Sequence, residues 1–188
     1  MKIKVAWIGK TKEPAIQALT DEYLKRISHY AEVAGVALKD EAAILSLASG
    51  DGRQSKNKDR HKLVLLDARG KQLSSEELAE FLDREQVNAI PLLFGIGGSD
   101  GFGAEARCQA AFTLSLGRMT LPHELARVVL VEQLYRAFTI LKRHPDVYKR
   151  QMSACCLSDS LKLSEEVEVE FIAGAHGSRS NYAYDYER

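Results

Sequence analysis

The stretch His61-Lys62-Leu63-Val64-Leu65-Leu66-Asp67 has the pattern of a fully buried strand, and Ser74-Ser75-Glu76-Glu77 follows it with the signature of a helix start. A serine that accepts the amide three residues on, with a glutamate reaching back, forms a capping box. A second apolar strand pattern occupies residues 90–96. Strand, helix and buried strand in succession predict a parallel βαβ unit.

The same alternation extends to both sides of this unit. Residues 2–9 and 33–38 predict strands around a helix at 13–30, residues 42–47 predict a short helix, and residues 104–111 and 112–119 predict a helix and a fifth strand. The sequence therefore predicts an α/β fold, with a mostly parallel sheet and helices on both faces.

The longest helix pattern runs from Pro122 to about Lys142, with a wide apolar stripe. Pro122 suits the first helical position, because proline has no amide hydrogen to leave unpaired there. Arg127 and Arg136 lie on this helix, and Glu132 stands four residues before Arg136, a spacing that favours an ion pair.

Composition excludes several classes of protein. The 188 residues carry 26 basic and 26 acidic side chains and three cysteines. No apolar run is long enough to span a bilayer, and the first residues alternate charged and apolar types, unlike a secretory signal, so a cytoplasmic location is expected. An odd number of cysteines without paired spacing favours reduced thiols over disulfides or zinc. Nucleophile-elbow and phosphate-loop motifs and metal-ligand clusters are absent from the sequence.

A glycine-rich segment, residues 94–103, lies between a predicted strand and a predicted helix. Glycines allow a ligand to approach the backbone, but they also suit a tight turn. The spacing fails the dinucleotide fingerprint, since Asp100 stands where the third glycine belongs. Ligand binding and a structural turn remain equally open at this point.

The run Met119-Thr120-Leu121-Pro122-His123 places a histidine in the first turn of the long helix. Such a histidine is more often a capping or surface residue than a catalyst. Arg127 and Arg136 on their own are typical of snorkelling or ion-paired arginines.

Taken together, these segments resemble the RlmH family of ribosomal RNA methyltransferases over about residues 1–145. The resemblance rests on Leu66-Asp67 with Gly70-Lys71, on Ile96-Gly97-Gly98-Ser99-Asp100-Gly101, on Met119-Thr120-Leu121-Pro122-His123, and on Arg127-Val128-Val129-Leu130-Val131-Glu132-Gln133-Leu134-Tyr135-Arg136-Ala137.

The resemblance implies a SPOUT-type fold with a C-terminal trefoil knot, a homodimer, and methylation of N3 of a pseudouridine in 23S ribosomal RNA. The enzyme would bind this RNA within the large subunit or the 70S ribosome. It implies S-adenosylmethionine as cofactor and no metal. By motif, the cofactor contacts would be Leu66, Gly97, Leu116, Gly117, Arg118, Met119, Thr120 and Leu121.

Catalysis would need the acceptor nitrogen held in line with an activated methyl group, and a base or a cation to help remove the imino proton. His123, Arg127 and Arg136 are the candidates that the resemblance suggests.

The resemblance ends at His144-Pro145, where the family continues with Tyr-His and a basic residue. Here Asp146-Val147-Tyr148-Lys149-Arg150-Gln151 follows, a hexapeptide that resembles one reading frame of a transposon end used in sequencing libraries. The expected organisation is a methyltransferase domain at 1–145 and a chimeric, unrelated tail at 146–188, with a genuine extension as the alternative. Loss of the Tyr-His pair also leaves open a catalytically impaired RNA- or ribosome-binding module, and a generic nucleotide-binding α/β protein is the third hypothesis.

Overall fold

The computed structural model describes residues 1–50, 60–98 and 100–143. Within them the chain forms five strands and five helices in strict alternation. Their bounds are β1 (Lys2–Ile8), α1 (Pro14–Ile27), β2 (Glu32–Leu38), α2 (Glu41–Ser49), β3 (Lys62–Gln72), α3 (Ser75–Val87), β4 (Leu92–Ile96), α4 (Ala104–Gln109), β5 (Phe112–Ser115) and α5 (His123–Leu141). A further strand pattern at 166–172 and the tail predicted at 146–188 lie outside the described residues.

The five strands form one sheet in the order β2-β1-β4-β3-β5, and every neighbouring pair is parallel. The predicted α/β fold with a parallel sheet is confirmed. Parallel strands need crossovers, and each crossover here carries a helix, as such connections usually do.

The helices cover both faces of the sheet. On one face α5 packs between α1 and α3, over strand residues such as Val64 and Phe94. On the other face α2 and α4 cover Leu63, Leu65 and Leu93. Because successive strand residues point to opposite faces, a central strand buried on both faces is apolar throughout, and all five residues of β4 are buried.

Strand β3 is longer than the sequence suggested. The strand pattern in the sequence ended at Asp67, whereas β3 continues to Gln72 after an irregularity, with Lys71 and Gln72 pairing to Leu114 and Ser115 of β5. Gly70 makes this possible. A Cβ at this position would lie 2.6 Å from the Leu114 carbonyl carbon and 2.7 Å from the Thr113 oxygen.

The end of β5 and the start of α5 also differ from the prediction. The strand predicted to reach Met119 ends at Ser115, because the Ser115 hydroxyl donates to the Gly117 carbonyl at 2.8 Å and Gly117 takes a φ of +154°. Pro122 is the N-cap of α5 rather than its first helical residue, with an extended ψ of 138°. The capping box of α3 is confirmed, since Ser74 and Glu77 exchange both hydrogen bonds.

The trefoil knot that the resemblance implies stays a prediction.

Candidate functional site

A cavity of about 580 Å³ opens beside the irregularity in β3 and the carboxyl ends of β4 and β5. This is the edge at which open α/β sheets bind their ligands, and the volume falls within the range of small-molecule sites, about 300–1,000 Å³. Its wall is built from Leu66, Asp67, Ala68, Arg69, Ile96, Gly97, Gly98, Asp100, Gly101, Arg107, Leu114, Ser115, Leu116, Gly117, Met119, Thr120, Leu121, Pro122, His123 and Ala126.

Three segments predicted to form one site therefore meet. Of the eight residues predicted as cofactor contacts, seven line this cavity, and Arg118 does not. Arg118 is exposed in the same loop. The side chain of Met119 is 82% exposed, which is unusual for a residue so apolar.

The glycine loop after β4 lines the cavity with backbone atoms that no side chain covers. A Cβ on Gly97 would lie 3.0–3.2 Å from backbone atoms of Gly101, so a side chain there would push the loop apart. Gly101 takes a φ of +72° and donates its amide to the Gly98 carbonyl at 3.2 Å. The amide of Gly103 donates to the Glu41 carboxylate of α2 at 2.8 Å, and this hydrogen bond fixes the end of the glycine loop to α2.

His123 lies in the first turn of α5 and lines the cavity. The next residue, Glu124, accepts the backbone amide of Lys12 at 2.9 Å. This contact ties the β1–α1 loop to the start of α5, beside His123.

Arg127 does not line the cavity. Its side chain is 1% exposed and stacks over the Trp7 ring, with 4.3 Å from Cζ to the ring centroid. Desolvation lowers the pKa of Arg127, while the charges of Glu124 and Asp21 oppose that shift. Within the described residues, Nε and Nη2 of Arg127 and Nε1 of Trp7 have no hydrogen-bond acceptor. The sequence predicted a snorkelling or ion-paired arginine, and neither description fits.

Arg136 lies on the outward face of α5, away from the cavity. Its Nε donates to Glu132 at 3.1 Å, as the four-residue spacing predicted. Leu125 and Val129 share this face and are 46% and 36% exposed. A long helix of this kind ordinarily turns its apolar residues inward, whereas these two are exposed in the single chain.

The sequence analysis missed an ion pair in the cavity wall, formed by Asp67 and Arg107. Asp67 accepts the Arg69 amide at 2.9 Å and pairs with Arg107 Nη1 at 3.1 Å. The Arg69 hydrogen bond, and then the hydrogen bond and charge of Arg107, lower the pKa of Asp67 against the opposing effect of desolvation. The carboxylate of Asp67 is therefore ionised at neutral pH. No local signal links residues 40 positions apart, so only the fold reveals the pair.

Two features are absent from the described ranges, 1–50, 60–98 and 100–143. Their helices include none with the length and apolar character of a membrane span. They also contain no cluster of three histidine, cysteine or acidic side chains suited to a metal ion.

Fold and cavity together define a parallel α/β protein with a cavity of small-molecule size at the carboxyl edge of its sheet. The model of a family described as "Predicted SPOUT methyltransferase" matches residues 1–146. The chain is 53% identical over 146 residues to ribosomal RNA large subunit methyltransferase H of Koribacter versatilis, in a match that spans 77% of this chain and 97% of the relative. The proteins of the same name from Geobacter sulfurreducens and Geotalea daltonii are 40% and 41% identical, and each is covered over 98% of its length.

The chain therefore belongs to the SPOUT methyltransferase family and, within it, to the ribosomal RNA large subunit methyltransferase H (RlmH) group. It is a ribosomal RNA methyltransferase, and the family predicted from the sequence is confirmed.

Proposed function

We propose that this enzyme transfers a methyl group from S-adenosylmethionine to N3 of a pseudouridine in 23S ribosomal RNA, in the cytoplasm, on the large subunit or the 70S ribosome. The observation that carries the proposal is the convergence of the irregular middle of β3 and the segments after β4 and β5 around one cavity. Its apolar wall suits a nucleoside, and the bare backbone of the glycine loop leaves room for close contact.

Leu66, Gly97, Leu116, Gly117, Met119, Thr120 and Leu121 would hold the cofactor, with Arg118 at the outer side of the loop. When bound, the cofactor supplies an activated methyl group, and its transfer leaves a neutral thioether. The protein residues then need to orient the acceptor nitrogen, exclude water and receive the imino proton.

His123 is the proposed proton acceptor, because it is the one catalytic candidate that lines the cavity, and imidazole is the commonest general base. Arg127 and Arg136 would act from other positions. The buried Arg127 supplies a fixed positive charge one helical turn beyond His123. Arg136 would act from the outward face of α5, where a second copy of the chain would dock.

A homodimer through the outward face of α5 completes the proposal. Leu125 and Val129 are exposed one turn apart on this face, and Met119 and Leu121, in the segment before α5, are also exposed. A second copy docked there would also desolvate the Glu132–Arg136 pair, which strengthens the attraction between the two charges.

Replacing Gly97 with alanine is expected to weaken S-adenosylmethionine binding by about 10-fold or more, because the new methyl group forces the loop against Gly101. Calorimetry on the full chain measures the affinity. Gly98→Ala is the matched control, since its Cβ meets only Ile8 Cγ2, at 3.8 Å, and its affinity should stay within about twofold.

Binding has to be followed by transfer. Labelled methyl groups should appear in 23S ribosomal RNA at one pseudouridine, mapped by mass spectrometry. No cofactor binding by the wild-type chain at millimolar concentration would contradict the proposal. Binding of cofactor and RNA without transfer would instead identify the impaired RNA- or ribosome-binding module.

We also propose that the methyltransferase domain comprises residues 1–145 and that 146–188 is a chimeric tail. The family match ends at residue 146, and the relatives are nearly fully covered by 77% of this chain. Sequencing genomic DNA of the source organism across the codon of Pro145 should give Tyr-His, a basic residue and a stop codon. A frame that continues into 146–188 would show a genuine extension.

A further inference from the structure

The wall of the cavity contains one arginine whose orientation is fixed by an ion pair. Arg107 of α4 and Asp67 in the middle of β3 both line the cavity, and Nη1 of Arg107 lies 3.1 Å from Oδ2 of Asp67. The Asp67 side chain is 10% exposed and that of Arg107 is 35% exposed, so the carboxylate lies behind the guanidinium.

Asp67 is itself held in place. Its other oxygen accepts the amide of Arg69 at 2.9 Å, which leaves the carboxylate little freedom to rotate. A guanidinium has five N–H donors in a rigid plane, and this contact uses one of them. The remaining donors of Arg107 are therefore oriented before any ligand arrives, which lowers the entropic cost of binding.

The charges around the cavity restrict what those donors can bind. The wall is apolar or glycine over most of its area, and its other arginine and aspartate side chains are Arg69 and Asp100. An anionic group on a ligand would find an oriented planar donor set only at Arg107, and carboxylates bind such a fork in bidentate fashion.

We infer that Arg107, oriented by Asp67, binds the α-carboxylate of the methionine part of the cofactor. This inference rests on the proposed function, because it assumes that S-adenosylmethionine occupies the cavity. Arg107 is then the residue that distinguishes the amino-acid part of the cofactor from a nucleoside alone.

Two related ligands test this directly by calorimetry on the full chain. S-adenosylhomocysteine carries the carboxylate, and 5′-methylthioadenosine keeps the nucleoside and the sulfur but lacks the amino acid. In Arg107→Met we expect the affinity for S-adenosylhomocysteine to fall by roughly 10- to 100-fold, the effect of losing a charged hydrogen bond. The affinity for methylthioadenosine should change by less than about twofold.

Arg107→Lys keeps the positive charge but not the planar set of N–H donors. Its affinity for S-adenosylhomocysteine should therefore lie between those of the wild type and Arg107→Met. It also tests the inference if Arg107→Met does not fold. Arg69→Met is the matched control, because Arg69 lines the same cavity with an exposed side chain, and both affinities should remain near those of the wild type.

Three results would overturn the inference. An equal loss for both ligands would show that Arg107 shapes the cavity. A selective loss in Arg69→Met alone would assign the carboxylate to Arg69. Unchanged S-adenosylhomocysteine binding with weakened RNA binding would assign Arg107 to the RNA. Failure of the proposed function is a separate result, in which the wild-type chain binds neither ligand.

Discussion

Gly70→Ala is expected to lower the free energy of unfolding by about 3 kcal/mol, because its methyl group overlaps the backbone of β5 rather than a side chain that can rotate away. The overlap falls at 2.6 Å from the Leu114 carbonyl carbon and 2.7 Å from the Thr113 oxygen. Relief requires β3 and β5 to separate, and the pairing of Lys71 and Gln72 with β5 would be lost.

Thermal unfolding measures this effect. A loss of that size corresponds to a fall in melting temperature of roughly 6–12 °C for a chain of this length. Gly98→Ala, with only a 3.8 Å contact, should melt within about 2 °C of the wild type. A Gly70→Ala protein as stable as the Gly98→Ala control would mean that the close approach of β3 to β5 does not exist in solution.

The double variant Leu125→Glu with Val129→Glu is expected to be a monomer without methyltransferase activity. In the proposed dimer, both carboxylates would enter an apolar interface without a partner, which costs several kcal/mol and weakens association by at least about 100-fold. Both side chains are exposed in the single chain, so the fold itself should tolerate the change.

Sedimentation measures the oligomeric state, and circular dichroism verifies that the variant is folded. Val87→Glu is the control, because Val87 is 78% exposed at the end of α3, outside the proposed interface. A double variant that remains dimeric at the wild-type dissociation constant would sink the proposed interface. A monomer that retains full methylation would show that the dimer is dispensable for catalysis.

The sequence predicted the layers of the fold well because its local signals were strong. The capping box at Ser74, the uniformly apolar β4 and the stripe of α5 each depend on residues near one another in the chain. In each case the tertiary structure agrees with the local preference.

The errors fall where distant segments decide the outcome. The continuation of β3 to Gln72 depends on β5, more than 40 residues later, and the burial of Arg127 depends on Trp7 at the other end of the chain. The early end of β5 is different, since Gly117 is a local signal that could have been used. A glycine two residues after a serine is a common turn pattern.

In the candidate site, too, the sequence predicted the local motifs but not the long-range contacts. Motifs located the glycine loop and the segment before α5, and the cavity includes nearly all of their proposed contact residues. Asp67 and Arg107 could not be joined from the sequence, because their contact spans two crossovers and depends on where α4 packs.

The cavity wall is built from segments that lie far apart in the sequence, and their order affects how the pocket forms during synthesis of the protein. Residues 66–69 come first, 96–101 next, and 114–126 last. A nascent polypeptide therefore has no such pocket until β5 and α5 have left the ribosomal exit tunnel. Fragments that terminate earlier lack one wall, so premature products of translation could neither sequester the small molecule nor compete with the finished enzyme for it.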